Sequence, residues 1–257
     1  MTEVMGILNV TPDSFSDGGL YLEPKKSVAH AREMIRQGAD VIDIGAVSTR
    51  PGSAPVDEET ELERLRPVLS LIKKEGDIPF TVDTYSPAAA SLALECGCLA
   101  VNDVSGALSP EIARLAARYG AAWIVMHARG PAGADADYPD GVVADVAGFF
   151  ERTLEAALDC GLKKEQVILD PGFGFSKDVK QNVELFSRLG ELKKAAGTRL
   201  LAGFSRKRFV GAICGSKDNG ALDAATASLC ALAAAQGADI VRVHNVALCR
   251  AALDASA

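Results

Sequence analysis

Eight short apolar segments, each followed by residues at helical spacing, recur along this chain of 257 residues, and that alternation restricts the fold more than any single motif. The first strand is read over Val4 to Val10, and Lys25 to Gln37 then places Val28, Ala31 and Ile35 on one helical face. Asp40 to Ile44 is the second strand, followed by a helix with Leu62, Leu65, Leu69 and Ile72 on one side and Asp57 at its N-terminus. Further strands are expected at 80–82, 99–104, 123–126, 167–169, 200–204 and 240–243, with one helical segment between each pair. Ser86-Pro87 and Ser109-Pro110 read as helix N-caps with proline in the first turn. Gly38, Gly97, Gly120, Gly161 and Gly237 read as C-terminal stops. Eight such units without an intervening linker predict an α/β fold, a single (β/α)8 TIM barrel spanning 1–257 as one domain. A doubly wound open sheet is the alternative, but no Gly-x-Gly-x-x-Gly follows the first strand.

Composition excludes several function classes. With 48% hydrophobic residues the chain can bury a substantial core, and a net charge of −7 disfavours nucleic acid or an anionic membrane as partner. No apolar run approaches bilayer length, and the first residues lack the layout of a signal peptide, so a cytoplasmic location is expected. The six cysteines lie mostly in apolar segments and read as reduced thiols; Cys96-Gly97-Cys98 has no second Cys or His pair near it.

In a barrel of this kind the site lies at the C-terminal strand ends. The first strand stops at Asn9 and runs into a long polar stretch, Thr11 to Gly19, that reads as a cover over a site or as a surface turn with a helix cap. The following strand ends carry Ser48 to Gly52, Asp83, Asn102-Asp103, His127, Asp170, Ser205-Arg206-Lys207, and finally Arg242 and His244. Any one of these could be a cap or a surface group, but all eight ends converge on one mouth. Asp83, Asn102 and Asp170 suit a flat heterocycle with ring N–H and amino donors, and Lys207 suits its carbonyl or ring nitrogen. Arg242 and His244, two residues apart on one strand, suit a phosphorylated arm. His127 reads either as a site group or, with at least equal weight, as a neutral, hydrogen-bonded structural histidine, and is left out of the site.

These motifs resemble the dihydropteroate synthase family over nearly the whole chain: ILNVTPDSFSDGG at 7–19, DIG and STRPG at 43–52, VDT at 82–84, NDVSG at 102–106, LDPGFGFSK at 169–177, SRK at 205–207 and RVH at 242–244. The resemblance implies an enzyme that joins a pterin diphosphate to p-aminobenzoate, with Asp83, Asn102, Asp170 and Lys207 on the pterin. It further implies Arg242, Val243 and His244 on the diphosphate, and Mg²⁺ held there with Asn9. Asp17, Thr49, Arg50 and Pro51 of the first two loops, with Phe175, are implied at the p-aminobenzoate, and a homodimer is implied as the assembly. Ala46-Val47, Arg208 and Asn245 depart from the family pattern, as does the lack of an Arg over Ala221 to Thr226. Arg208 has two readings: a bidentate pair with the benzoate carboxylate, or an outward fold to solvent. A corrinoid-dependent methyltetrahydrofolate methyltransferase and a non-catalytic pterin-binding paralogue are the rival readings. The first has no use for a diphosphate corner or a long covering loop.

Overall fold

The computed structural model describes residues 1–11, 24–47, 56–130 and 135–256. Its strands are β1 (Glu3–Asn9), β2 (Val41–Gly45), β3 (Phe80–Asp83), β4 (Ala100–Asp103), β5 (Ala122–Met126), β6 (Val167–Asp170), β7 (Arg199–Ala202) and β8 (Ile240–Val243). All pair in parallel with their sequence neighbours, and β8 pairs with β1, so the sheet closes into a barrel. Closure excludes the open doubly wound alternative.

Among the described residues ten α-helices surround the strands: α1 (Pro24–Arg36), α2 (Glu58–Glu75), α3 (Pro87–Glu95), α4 (Pro110–Tyr119), α5 (Val142–Asp159), α6 (Val179–Ser187), α7 (Leu189–Ala196), α8 (Arg208–Cys214), α9 (Asn219–Ala235) and α10 (Val246–Ala255). Their starts follow the side-chain capping rules. Asp57, Ser86 and Ser109 each accept a backbone N–H from three residues on, and a proline follows each serine. The five glycine stops all adopt positive φ, between 68° and 99°.

Two expectations are corrected. The connections β6–β7 and β7–β8 each hold two helices rather than one. Strands β4 and β7 are shorter than the apolar runs that announced them. After β4, Asp103 accepts the Ser105 N–H and turns the chain, and after β7 the Phe204 carbonyl accepts the Lys207 N–H.

Strand alternation sets up the site. Met5, Val41, Ala100, Ile124, Ile168, Leu201 and Ile240 form an apolar cluster inside the barrel, separate from the larger core between strands and helices. Side chains alternate along a strand, so two residues further on the inward position is reached again. From Met5 that step leads through Ile7 to Asn9, from Val41 to Asp43, and from Ala100 to Asn102. From Ile168 it reaches Asp170, and from Ile240, Arg242. The polar mouth is therefore the next layer above an apolar plug, not a set of unrelated loop residues. Among the described residues no helix is long and apolar enough to cross a membrane, and all six cysteines are free thiols.

Candidate active site

Asp83 and Asn102 are cross-strand neighbours on β3 and β4. Asn102 is buried, and its Nδ2 donates to Asp43 Oδ2 at 2.9 Å. Its Oδ1 is also buried and has no hydrogen-bond partner among the described residues. An acceptor left in that state costs on the order of 1–3 kcal/mol, which a ligand N–H would recover. Burial pushes the Asp83 carboxyl above the usual range; Arg242 pulls it back, while Asp43 and Glu61 push it further up.

Arg242 has partners the strand pattern did not suggest. Its Nε donates to Asp43 Oδ2 at 2.6 Å and its Nη2 to Asp83 Oδ2 at 2.6 Å. The guanidinium is thus bound between two carboxylates rather than standing open beside an imidazole. His244 lies just past the end of β8, with Nδ1 at 3.0 Å from Ser205 Oγ, and Ser205 Oγ also accepts the His244 backbone N–H at 3.2 Å. That hydroxyl can donate to an unprotonated Nδ1 or, with its second lone pair, accept from a protonated one. Val243 between them is buried.

The loop after β6 closes the other side of the mouth. Asp170 is buried, accepts the Gly172 N–H at 2.7 Å, and is pushed up by burial against the pull of Lys207. Gly172 has φ +68°, and a Cβ there would lie 1.9 Å from the His127 carbonyl oxygen, so only glycine fits. Lys207 donates to the Phe173 carbonyl at 2.5 Å and lies 4.6 Å from the centre of the Phe175 ring. Burial lowers its pKa to about 8. Asp83, Asn102, Asp170 and Lys207 therefore share one mouth, with Phe175 stacked over the lysine.

Arg208 is the first residue of α8, and its side chain is 67% exposed, with Nη2 at 3.3 Å from Asp135 Oδ1. The structure gives it the outward position of the two considered. Asn9 is half-buried at the end of β1. Asp17, Thr49, Arg50 and Pro51 lie outside the described residues. His127 is buried, its Nε2 lies 2.7 Å from Asp145 Oδ1, and burial lowers its pKa to about 4, as suits a neutral ring.

Several residues of this region were not singled out from the sequence. Asp43 is wholly buried and accepts from Thr81, Asn102 and Arg242. A charge inside the apolar run Val41 to Ile44 was the available signal, because such a group requires partners. Lys177 is buried and donates to the carbonyls of His127, Gly172 and Phe175. Glu61 on α2 accepts from Thr84 at 2.6 Å. Arg206, with φ +57°, makes a bidentate pair with Asp223. Nothing in the sequence spacing points to Lys177 or Glu61, and Arg206, although it falls in the strand-end run Ser205-Arg206-Lys207, shows no sign there of its partner Asp223.

The chain matches the model of the family described as pterin binding enzyme over residues 5–244. It is 45% identical over 249 residues to a dihydropteroate synthase of Synechocystis, covering 95% of this chain and 86% of that protein. Among solved structures it resembles a dihydropteroate synthase from Clostridium difficile crystallised in the presence of pteroic acid. The TM-score is 0.92 at 41% identity, over 99% of this chain and 95% of that one. A Xanthomonas albilineans dihydropteroate synthase with 4-aminobenzoic acid gives 0.91 at 38% identity, over 99% and 91% of the two chains.

Proposed function

The chain belongs to the pterin-binding enzymes, among the dihydropteroate synthases, and from that premise we propose how its strand ends carry out the condensation. The reaction joins 6-hydroxymethyl-7,8-dihydropterin diphosphate to p-aminobenzoate, giving 7,8-dihydropteroate and diphosphate in folate synthesis. The single observation that carries the site assignment is the buried Asn102 Oδ1, without a partner among the described residues, next to Asp83 across the strands. Acceptors of this kind match the N–H edge of a pterin, and Lys207 supplies the donor for its carbonyl or ring nitrogen.

Arg242 and His244, with the Val243 backbone, take the diphosphate. Among the described residues Arg242 commits Nε and Nη2 to carboxylates, so Nη1 is the edge it offers to an anion. Among the described residues no three His, Cys, Asp or Glu side chains converge to cage a metal. Mg²⁺ does not need such a cage, since it keeps several waters and is bound through few protein oxygens plus substrate phosphates. The Asn9 amide oxygen fits that role, and the ion would neutralise charge on the departing diphosphate.

As the carbon–oxygen bond breaks, negative charge grows on the diphosphate and positive charge on the pterin methylene. Arg242 and His244 face the first, and the carboxylates of Asp83 and Asp170 hold the second. The amine of p-aminobenzoate attacks the methylene carbon from the side of Phe175 and Lys207, and the family resemblance assigns Asp17, Thr49, Arg50 and Pro51 to that same substrate. No covalent enzyme intermediate is required. A continuous assay for diphosphate release tests the reading. Release must depend on both substrates; release from the pterin diphosphate at the same rate without p-aminobenzoate would make the protein a hydrolase instead.

A further inference from the structure

We propose that Asp43 is a positioning residue of this reaction, fixing which end of the Asn102 amide meets the pterin and where the Arg242 guanidinium lies. The inference rests on the pterin assignment above and deepens it.

Asp43 sits one inward step above Val41 in the apolar plug and is 0% exposed, so it acts through its neighbours. A carboxylate is an acceptor only. It therefore draws the Nδ2 of Asn102 to Oδ2 and leaves the amide oxygen turned away, buried and without a partner among the described residues. An amide facing a neutral side chain could rotate by half a turn and present its NH2 group to the ligand. That would set donor against donor at the pterin edge. The same Oδ2 takes Arg242 Nε at 2.6 Å, and Thr81 Oγ1 holds the other oxygen at 2.5 Å. One buried anion thus decides the polarity of Asn102 and aims Arg242 so that its Nη2 reaches Asp83 at 2.6 Å.

This arrangement has an electrostatic signature that a space-filling role lacks. The groups facing Asp83 are Asp43 from β2, Glu61 from α2, Arg242 from β8, and Lys207 from the loop after β7. The negative charge on Asp43 is one of the influences holding the Asp83 carboxyl up. Removing that charge lets Asp83 ionise at lower pH, so pterin binding persists further into acid.

The test compares the wild type with Asp43→Asn and Thr81→Val by calorimetry with pterin diphosphate and Mg²⁺, over a range of pH, alongside thermal melts. Asp43→Asn is expected to raise Kd by about tenfold or more, the range of a hydrogen bond to a charged group, and to move the acid limb of binding to lower pH. Thr81→Val keeps the charge, so its acid limb should stay in place while Kd rises by about threefold. If Asp43→Asn folds with wild-type Kd and an unmoved acid limb, the proposal is overturned. If it does not fold, a wild-type Kd in Thr81→Val overturns it instead. A wild type that fails to bind pterin diphosphate overturns the functional reading itself, which is a separate result.

Discussion

On the β2–β3–β8 side of the mouth, Arg242 lies 2.6 Å from each of two carboxylates, Asp43 and Asp83. On the β6 side, Lys177 meets only carbonyl oxygens among the described residues, at 3.0 Å to Gly172 and Phe175 and 3.3 Å to His127. Arg242 is half-buried, with 18% of its side chain exposed, and Lys177 is buried. The first is kept charged by formal anions, and those contacts hold its pKa up against burial. The second is not, and burial lowers the Lys177 pKa to about 7 although Asp170 pulls it upward. One side of the mouth is a fixed charge lattice between strands; the other is a loop tied by a cation that can lose its proton near neutrality.

The comparison predicts its largest effect at Arg242. Arg242→Ala strands two carboxylates at a buried site, and breaking such an arrangement costs about 3–5 kcal/mol. Urea unfolding should show that loss, and diphosphate release should fall with it. Affinity for pterin diphosphate should drop more than affinity for the free pterin. Equal losses for the two ligands would assign Arg242 to the ring or to the fold.

Asp170 tests the loop side at the ligand. Asp170→Asn can no longer accept from both a ring donor and the Gly172 N–H with two carboxylate oxygens. Pterin affinity should fall by about tenfold to a hundredfold, a hydrogen bond to a charged group being worth about 1.5–3 kcal/mol, while the fold survives. Unchanged pterin affinity by calorimetry would remove Asp170 from the site.

A smaller effect separates the two cations by pH. Lys177 and Lys207 titrate at about 7 and about 8 in the folded chain, below the ordinary lysine value of 10.5. Between those limits the unfolded chain holds protons that the folded chain lacks, so these groups make stability rise with pH there. Lys177→Met should flatten part of that rise and cost about 1–3 kcal/mol where its carbonyl contacts are lost. Denaturant midpoints measured from pH 6 to 10 give the slope. A slope identical in the variant and the wild type would mean that Lys177 keeps its charge throughout, as Arg242 does.

The sequence displayed the lattice side and the loop side unequally. All eight strands, the three capped helix starts and the end-of-strand residues Asp83, Asn102 and Asp170 follow from local rules, namely alternation, capping and the position of a strand's last inward residue. The pairing of Arg242 with Asp43 and Asp83 does not, because those residues are 199 and 159 positions apart along the chain. Barrel closure, not spacing, brings them together. Lys177 escaped for a different reason: its partners are backbone carbonyls, which no side-chain pattern announces. The doubled helix before β7 was likewise hidden, since α6 and α7 run on with only Arg188 between them.

Arg208 gives the smallest expected effect on the fold and bears on which second substrate the loop side admits. It begins α8 next to Lys207, and its guanidinium points toward Asp135 across an exposed gap of 3.3 Å. An exposed pair of that kind contributes about 0–1 kcal/mol, so Arg208→Ser should leave the melting temperature within about 2 °C of wild type. The same weakness means a stronger acceptor can draw the guanidinium away from Asp135, and a benzoate carboxylate, with two oxygens in one plane, is such an acceptor. If Arg208 swings to it, Arg208→Ser raises the KM for p-aminobenzoate several-fold and leaves that for pterin diphosphate unchanged. Inhibition by a sulfonamide should change less, because a sulfonyl group does not offer the paired planar oxygens. Asp135→Ala sharpens the result: by releasing the arginine it should lower the KM for p-aminobenzoate. An unchanged KM in both variants leaves Arg208 on the surface, paired with Asp135, and outside the second-substrate site.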